Sequence, residues 1–153
     1  MSPHPKDPQF ELRVRESFAK QTFMATLGAT LARIAPGEVT IALPVREALA
    51  QQHGSVHAGA LASVLDSASG YAALTLMPPG AAVVSVEFKL NLLEPAVGER
   101  VEARARVVRS GRSGRTLSVC TAEAWAIDAA GNERLAATLQ GTMMCLLGTG
   151  RVG

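Results

Sequence analysis

Little in this chain marks a metalloprotein, a nucleotide enzyme or a disulfide-held secreted domain. There are only two cysteines, Cys120 and Cys145, far apart in apolar strand-like runs without metal-ligand spacing. They read as reduced core residues of a cytoplasmic protein. The three histidines and the scattered carboxylates never cluster at ligand spacing, so no metal is expected. A net charge of only +2 argues against a general nucleic-acid binder. No Gly-x-Gly-x-x-Gly or Walker-type loop is present, which removes the usual cradles for a dinucleotide or ATP phosphate. Neither a Gly-x-Ser-x-Gly elbow nor a His-Glu-x-x-His helix occurs. The first residues, MSPHPKDPQF, are polar and proline-rich and lack a signal-peptide core, so no export and no membrane partner is expected.

What is present suits one globular domain with a sizeable core. The chain has 153 residues, of which 48% are hydrophobic and 18% charged, a balance compatible with surface buried in an oligomer. Residues 1–8 are expected to be disordered, 9–147 to form the domain and 148–153 to be a flexible tail. From Gln9 to about Met24, Phe10, Val14 and Phe18 recur every fourth residue, predicting one short amphipathic helix. A hairpin turning at Pro36-Gly37 follows. After Pro78-Pro79-Gly80 come four strand-like runs: 82–93, 100–109, 115–127 and 134–146. Their short connections predict an antiparallel meander. In the first of them Val84, Val86, Phe88 and Leu90 share one face, and Ser85, Glu87, Lys89 and Asn91 the other.

Between hairpin and meander lies the stretch on which the function depends. Residues 58–77 are mostly Ala, Leu, Val, Ser and Gly, with Asp66 as the single charge. A helix apolar on nearly every side is one wrapped by other structure. Twenty such residues would also reach across a bilayer, but the Ala, Ser and Gly content, the central Asp66 and the lack of basic flanks argue against a span. A carboxylate buried there is costly unless paired, hydrogen-bonded or used. One long apolar helix and about six antiparallel strands predict an α+β fold, a curved sheet wrapped around the helix.

These residues resemble a known family. Gly54-Ser55-Val56-His57-Ala58-Gly59, followed by Leu61, Val64, Leu65 and Asp66, is similar to the Gly-x-x-His-Gly-Gly signature and downstream Asp of hotdog-fold acyl-CoA thioesterases, closest to the phenylacetate-pathway (PaaI-like) subgroup. Ser85-Val86-Glu87-Phe88, the turn Glu94-Pro95-Ala96-Val97-Gly98-Glu99 and the Gly-Arg loop before Thr116 extend the likeness over most of the chain beyond Thr30. Two positions depart from it. Ala58 replaces the first Gly after the His, where only a backbone N–H is needed. Gln51 stands where many relatives carry Asn, and Gln51 or Gln52 would position water or thioester, unless it is simply a solvated surface residue.

The resemblance implies thioester hydrolysis of an aromatic or medium-chain acyl-CoA in the cytoplasm, without a cofactor beyond the coenzyme A of the substrate. The N-terminus of the central helix, with the Ala58 and Gly59 amides, would polarise the acyl carbonyl. Asp66 would activate water or attack the carbonyl itself. His57 would shape the helix entry or hold the carbonyl. Ser85 would orient water, or be a plain exposed strand residue. Arg112, Ser113, Gly114 and Arg115 would meet the nucleotide end of coenzyme A, unless they are a solvated hairpin tip. Pro95 and Val97 would line the pantetheine path, and Ala62, Ser69, Gly70 and Ala73 the acyl pocket. Eight residues of helix between Ala58 and Asp66 span about 12 Å, too far for one carbonyl carbon to meet both. Two helices antiparallel across a homodimer solve this, giving two shared sites, with a homotetramer as the expected assembly. The competing function is a non-catalytic acyl-CoA binding or sensing module on the same fold.

Overall fold

The computed structural model describes residues 3–111 and 116–148. Helices α1 (Phe10–Ala19) and α2 (Thr22–Leu27) lead into a hairpin of β1 (Thr30–Ala35) and β2 (Glu38–Pro44). A single 3-10 turn, Glu47–Leu49, and a loop precede the long helix α3 (Ala58–Leu74). Strands β3 (Ala82–Leu92), β4 (Arg100–Arg109), β5 (Leu117–Ile127) and β6 (Glu133–Leu146) complete the chain. All six strands form one antiparallel sheet in the order β1-β2-β4-β5-β6-β3. The sheet curves around α3, which packs on β2, β4, β5, β6 and β3. Among the described residues, no helix is long and apolar enough to cross a membrane.

The face of the sheet under α3 is built largely of small residues: Ala103 and Ala105 on β4, Ala122 and Ala124 on β5, and Ala137 on β6. Larger Val39, Ile41, Leu43, Val101, Leu139 and Met143 fill the ends of the groove. Alternate residues point outward and are polar: Arg104 bonds Glu102 and Glu133 and lies over the Trp125 ring at 5.6 Å. This alternation is the two-residue period of a sheet wet on one side.

Two elements differ from the sequence expectation. The single helix 9–24 is two helices, because Gln21 takes an extended conformation (ψ 91°) between them. Continuing the Phe10-Val14-Phe18 stripe would bury Gln21 and Ala25; the break instead turns Met24 and Leu27 into the core. The second difference is the strand order. Strands β4, β5 and β6 do form a meander, but β3 pairs with β6 at the far edge. Helix α3 accounts for this: its 17 residues span about 25 Å, enough to carry the chain across the roughly 19 Å from β2 to β3.

The N-terminal stretch expected to lack order makes contacts over residues 3–8. Pro3 lies against Gly37, and Asp7 accepts the Gln9 N–H and pairs with Arg13. Residues 1–2 and 149–153 lie outside the described residues.

Candidate active site

Helix α3 starts at His57, whose backbone is extended and whose Nδ1 accepts the Gly59 N–H at 2.8 Å. The imidazole is therefore an N-cap. This bond occupies one of the two amides expected to polarise a carbonyl. Ala58 N–H, at the first helical position, has no acceptor among the described residues, while the amides of Ala60 and Leu61 turn back to the His57 carbonyl. Of the expected pair, Ala58 is the amide that remains available.

The loop ahead of the helix is organised by Gln51. Its Nε2 donates to Ser55 Oγ at 2.8 Å, its Oε1 accepts the His53 N–H, and its backbone pairs with Ser55 and Gly54. The side chain expected to position water is thus engaged in bracing its own turn. Gln51, Ala58, Leu61, Leu92 and Pro95 border one cleft of about 240 Å³. Pro95 belongs to the turn that ends at Gly98, whose φ of +133° and closeness to the Ile127 carbonyl leave no room for a side chain. Val97, in the same turn, is exposed and is not among the residues bordering that cleft.

Asp66 sits two turns further along α3 and is half-buried, not enclosed as expected. The sheet covers most of the helix but leaves a stripe of small residues, Ala58, Gly59, Ala62, Ser63, Asp66 and Ser67, partly or fully open. Asp66 Oδ1 accepts a hydrogen bond from Ser85 Oγ at 2.6 Å, and Met143 Sδ lies 3.4 Å from the same hydroxyl.

Simple alternation placed Ser85 on the polar face of its strand. A bulge at Val86 reverses the phase: Ser85 pairs with buried Met143, and past the bulge Phe88 pairs with buried Gly141 and Leu90 with buried Leu139. Directly paired residues share a face, so Val83, Ser85, Phe88 and Leu90 look toward α3 while Val84 and Glu87 look away. Bulges re-aim side chains in this manner next to active sites.

Asp66 and Ser85 open into a larger cavity of about 550 Å³, bordered also by Ser67, Gly70, Tyr71, Leu74, Val83 and, from the N-terminal helices, Ser17 and Gln21. Its size is that of a small-molecule site. Of the four residues expected to line an acyl pocket, only Gly70 borders it; Ser69 and Ala73 are turned into the core beneath α3. Tyr71, Ser17 and Gln21 were not foreseen. The one available signal was that Tyr71 is the only tyrosine in the chain, five residues after Asp66 on an otherwise aliphatic helix.

Arg112, Ser113, Gly114 and Arg115, the expected coenzyme A contacts, lie outside the described residues. Among the described residues, no group of His, Cys, Asp or Glu has the arrangement of a metal site. Neither cysteine is in a disulfide, and burial pushes the Cys120 thiol up to about 12.

The comparison with known proteins matches this architecture. The thioesterase superfamily profile covers residues 53–130, half of the chain, from the loop before α3 through β5. The chain belongs to the thioesterase superfamily. It is a thioester hydrolase by family, with the hotdog fold of that family's known structures. A thioesterase family protein from Silicibacter pomeroyi superposes with a TM-score of 0.86 at 52% identity, covering 91% of this chain and 99% of that one. The PaaI protein of the E. coli phenylacetic acid degradation operon superposes at 0.77 with 19% identity over 90% of this chain and 94% of its own, a likeness of fold alone. Human acyl-coenzyme A thioesterase 13 is 33% identical over 95 residues, 61% of this chain and 67% of that protein. A putative esterase of Halobacterium salinarum is 33% identical over 93 residues, 58% of this chain. The match spans 61% of the archaeal protein's length.

Proposed function

We propose that this protein is an acyl-CoA thioesterase of the cytoplasm, acting on aromatic or medium-chain acyl groups through sites shared across a homodimer. The observation that carries the reading is the Asp66–Ser85 pair at 2.6 Å, opening into a cavity large enough for an acyl group. Ser85 Oγ donates to one carboxylate oxygen and so orients the group. In the general-base route, Asp66 takes a proton from water while the oxygen adds to the acyl carbonyl. The developing oxyanion is met by the Ala58 amide and the positive end of the α3 dipole. Collapse breaks the C–S bond, and the proton held by Asp66 passes to the departing sulfur, releasing free acid and the coenzyme A thiol. In the nucleophilic route the carboxylate attacks first and expels the coenzyme A thiolate, giving a mixed anhydride that water opens to free acid and the Asp66 carboxylate.

The geometry of a single chain favours the dimer. Asp66 borders the 550 Å³ cavity and Ala58 the separate 240 Å³ cleft, so one chain does not offer both groups to one carbonyl. The α3 stripe from Ala58 to Ser67 is small-sided and open, which suits close approach of a second helix. Beside it, β3 is an unpaired sheet edge with exposed Val84, Val86, Phe88 and Leu92. A long apolar edge strand is a template for pairing with another chain. Pairing two such edges brings each α3 start toward the other chain's Asp66, and a tetramer follows by joining two dimers. The coenzyme A nucleotide is assigned to Arg112, Ser113, Gly114 and Arg115, with Pro95 and Val97 flanking the pantetheine arm.

The test is thiol release from phenylacetyl-, benzoyl-, hexanoyl- and lauroyl-CoA by wild type and Asp66→Asn. Turnover by wild type, with a loss of at least about a hundredfold in a folded, dimeric variant, supports the reading. Binding of acyl-CoA without any release of thiol transfers the protein to the binding-module reading.

A further inference from the structure

On the face of β3 turned away from α3, Glu87 and Lys89 stand two residues apart, opposite Thr142 and Gln140 of β6. Thr142 Oγ1 donates to Glu87 Oε1 at 2.6 Å, which aims the carboxylate and leaves its other oxygen open. Lys89 is exposed and makes no hydrogen bond or ion pair among the described residues. The β6 positions flanking them are Thr138, Gln140 and Thr142, so the neighbouring strand offers neither charge a partner.

The open edge of β3 meets a second copy under strict geometric limits. A two-fold axis perpendicular to the joined sheets keeps both α3 helices on one side, and residues equidistant from it along the two strands then lie opposite each other on one face. Centring on Glu87 or Lys89 sets like charges against each other. Centring on Leu90 puts Lys89 opposite Asn91 and leaves both charges without an ionic partner. Centring on Phe88 sets each Glu87 against a Lys89.

The helix selects the same centre independently. Asp66 bonds Ser85, and one helical turn further on a Cβ at Gly70 would meet Val83 Cγ1 at 4.0 Å. Four helix residues, about 6 Å, thus run antiparallel to two strand residues, about 6.6 Å. The step in the other direction takes Asp66 to Ala62, and Ser85, across the bulge, to the next residue facing α3, which is Phe88. Ala62 is midway between Ala58 and Asp66. It must lie on the axis if each Ala58 is to face the other chain's Asp66.

We infer that the dimer closes in one register, with Phe88 on the two-fold axis against the partner's Phe88, and Glu87 of each chain paired with the partner's Lys89. This register rests on the shared-site reading of Ala58 and Asp66. It sets the partner's Leu90 opposite Val86, beside Ser85, and the cleft bordered by the partner's Ala58, Leu61 and Pro95 then joins the cavity at Asp66.

The test is a scan of single substitutions to cysteine at Glu87, Phe88, Lys89 and Leu90, oxidised and run on a non-reducing gel, with wild type as the control for Cys120 and Cys145. Directly opposite residues have Cα atoms about 4.5–5.5 Å apart, within disulfide reach, whereas the other three positions are each more than about 8 Å from their own copy. Phe88→Cys alone should cross-link, and the oxidised dimer should release thiol from acyl-CoA as fast as the reduced one. Lys89→Glu should raise the dimer dissociation constant by about tenfold or more at low salt, and adding Glu87→Lys should reverse the loss. If Phe88→Cys does not dimerise, the charge exchange decides. Cross-linking at another position, activity lost on oxidation, or a Lys89→Glu loss that is absent or not reversed overturns this register and leaves the thioesterase reading intact. A wild type that releases no thiol from the four-substrate panel overturns that reading, while the gel still reports the register. A monomeric wild type overturns the register and the shared sites together.

Discussion

Replacing Arg13 by Met tests whether the N-terminal helices are part of the functional cavity or an appendage to it. The pattern of α1 makes Arg13 look like a surface cation between apolar positions, for which removal would cost well under about 1 kcal/mol. Its contacts say otherwise. Nη1 donates to the Pro78 carbonyl at 2.5 Å, and Nη2 to those of Leu74 and Met77 at 2.8 and 2.9 Å. These are the last carbonyl of α3 and two of the turn beyond; those of Leu74 and Pro78 also accept the Met77 and Ala81 amides, and the guanidinium takes up their remaining acceptor capacity.

Nε lies 3.4 Å from Asp7 without hydrogen-bond alignment. Burial lowers the guanidinium's pKa from its usual value while Asp7 opposes the shift, so it remains a cation. Hydrogen bonds from a charged donor are worth about 1.5–3 kcal/mol each in protected settings. Taking about 1 kcal/mol each for this half-buried site gives about 3 kcal/mol in all. For a chain of this size that is a fall in Tm of about 6–12 °C.

Arg13→Lys should recover about a third of the loss, since one ammonium cannot span three carbonyls in a fork. The assay is urea and thermal denaturation at one fixed protein concentration, because association shifts apparent stability. An Arg13→Met loss below about 1 kcal/mol, with unchanged m-value, would refute the cap and return Arg13 to the surface.

Other outcomes follow from the same geometry. Ser85→Ala should lower kcat by about tenfold or more with little change in KM, since the hydroxyl orients Asp66 rather than holding the acyl group; steady-state kinetics on the preferred acyl-CoA would show it. Phe88→Glu on the open β3 edge should yield monomers by light scattering, and those monomers should lack activity while keeping native far-UV circular dichroism. In the native protein at pH 8, a disulfide reagent should leave Cys120 unmodified, because its thiol is buried and its pKa lies near 12. Thiolate, the reactive form, is scarce at a pH so far below that value, and both cysteines should react after denaturation.

Local pattern sufficed for much of this protein. The run from Ala58 to Met77, with Asp66 alone in it, identifies the central helix, and the two-residue alternation of 100–109 and 134–146 gives strands with nearly the observed limits. Such signals depend on neighbours a few positions away, which a sequence displays directly. The likeness around Gly54–Asp66 led to the superfamily for the same reason.

Other features depend on what distant segments do to one another. The bulge at Val86 arises from pairing with β6, and it alone turns Ser85 from the polar face toward Asp66. Strand β3 reaches the far edge because α3 is long enough to carry the chain across the sheet. The half-exposed state of Asp66 follows from where the sheet ends, and the loss of the Gly59 amide from the rotamer of one imidazole. Tyr71, Gln21 and Ser17 lie on separate elements and meet only because Arg13 and the Phe18–Tyr71 contact hold α1 on α3. The residue types and the helix that bear the chemistry were written locally; which of them face one another is a property of long-range packing, and only the folded chain decides it.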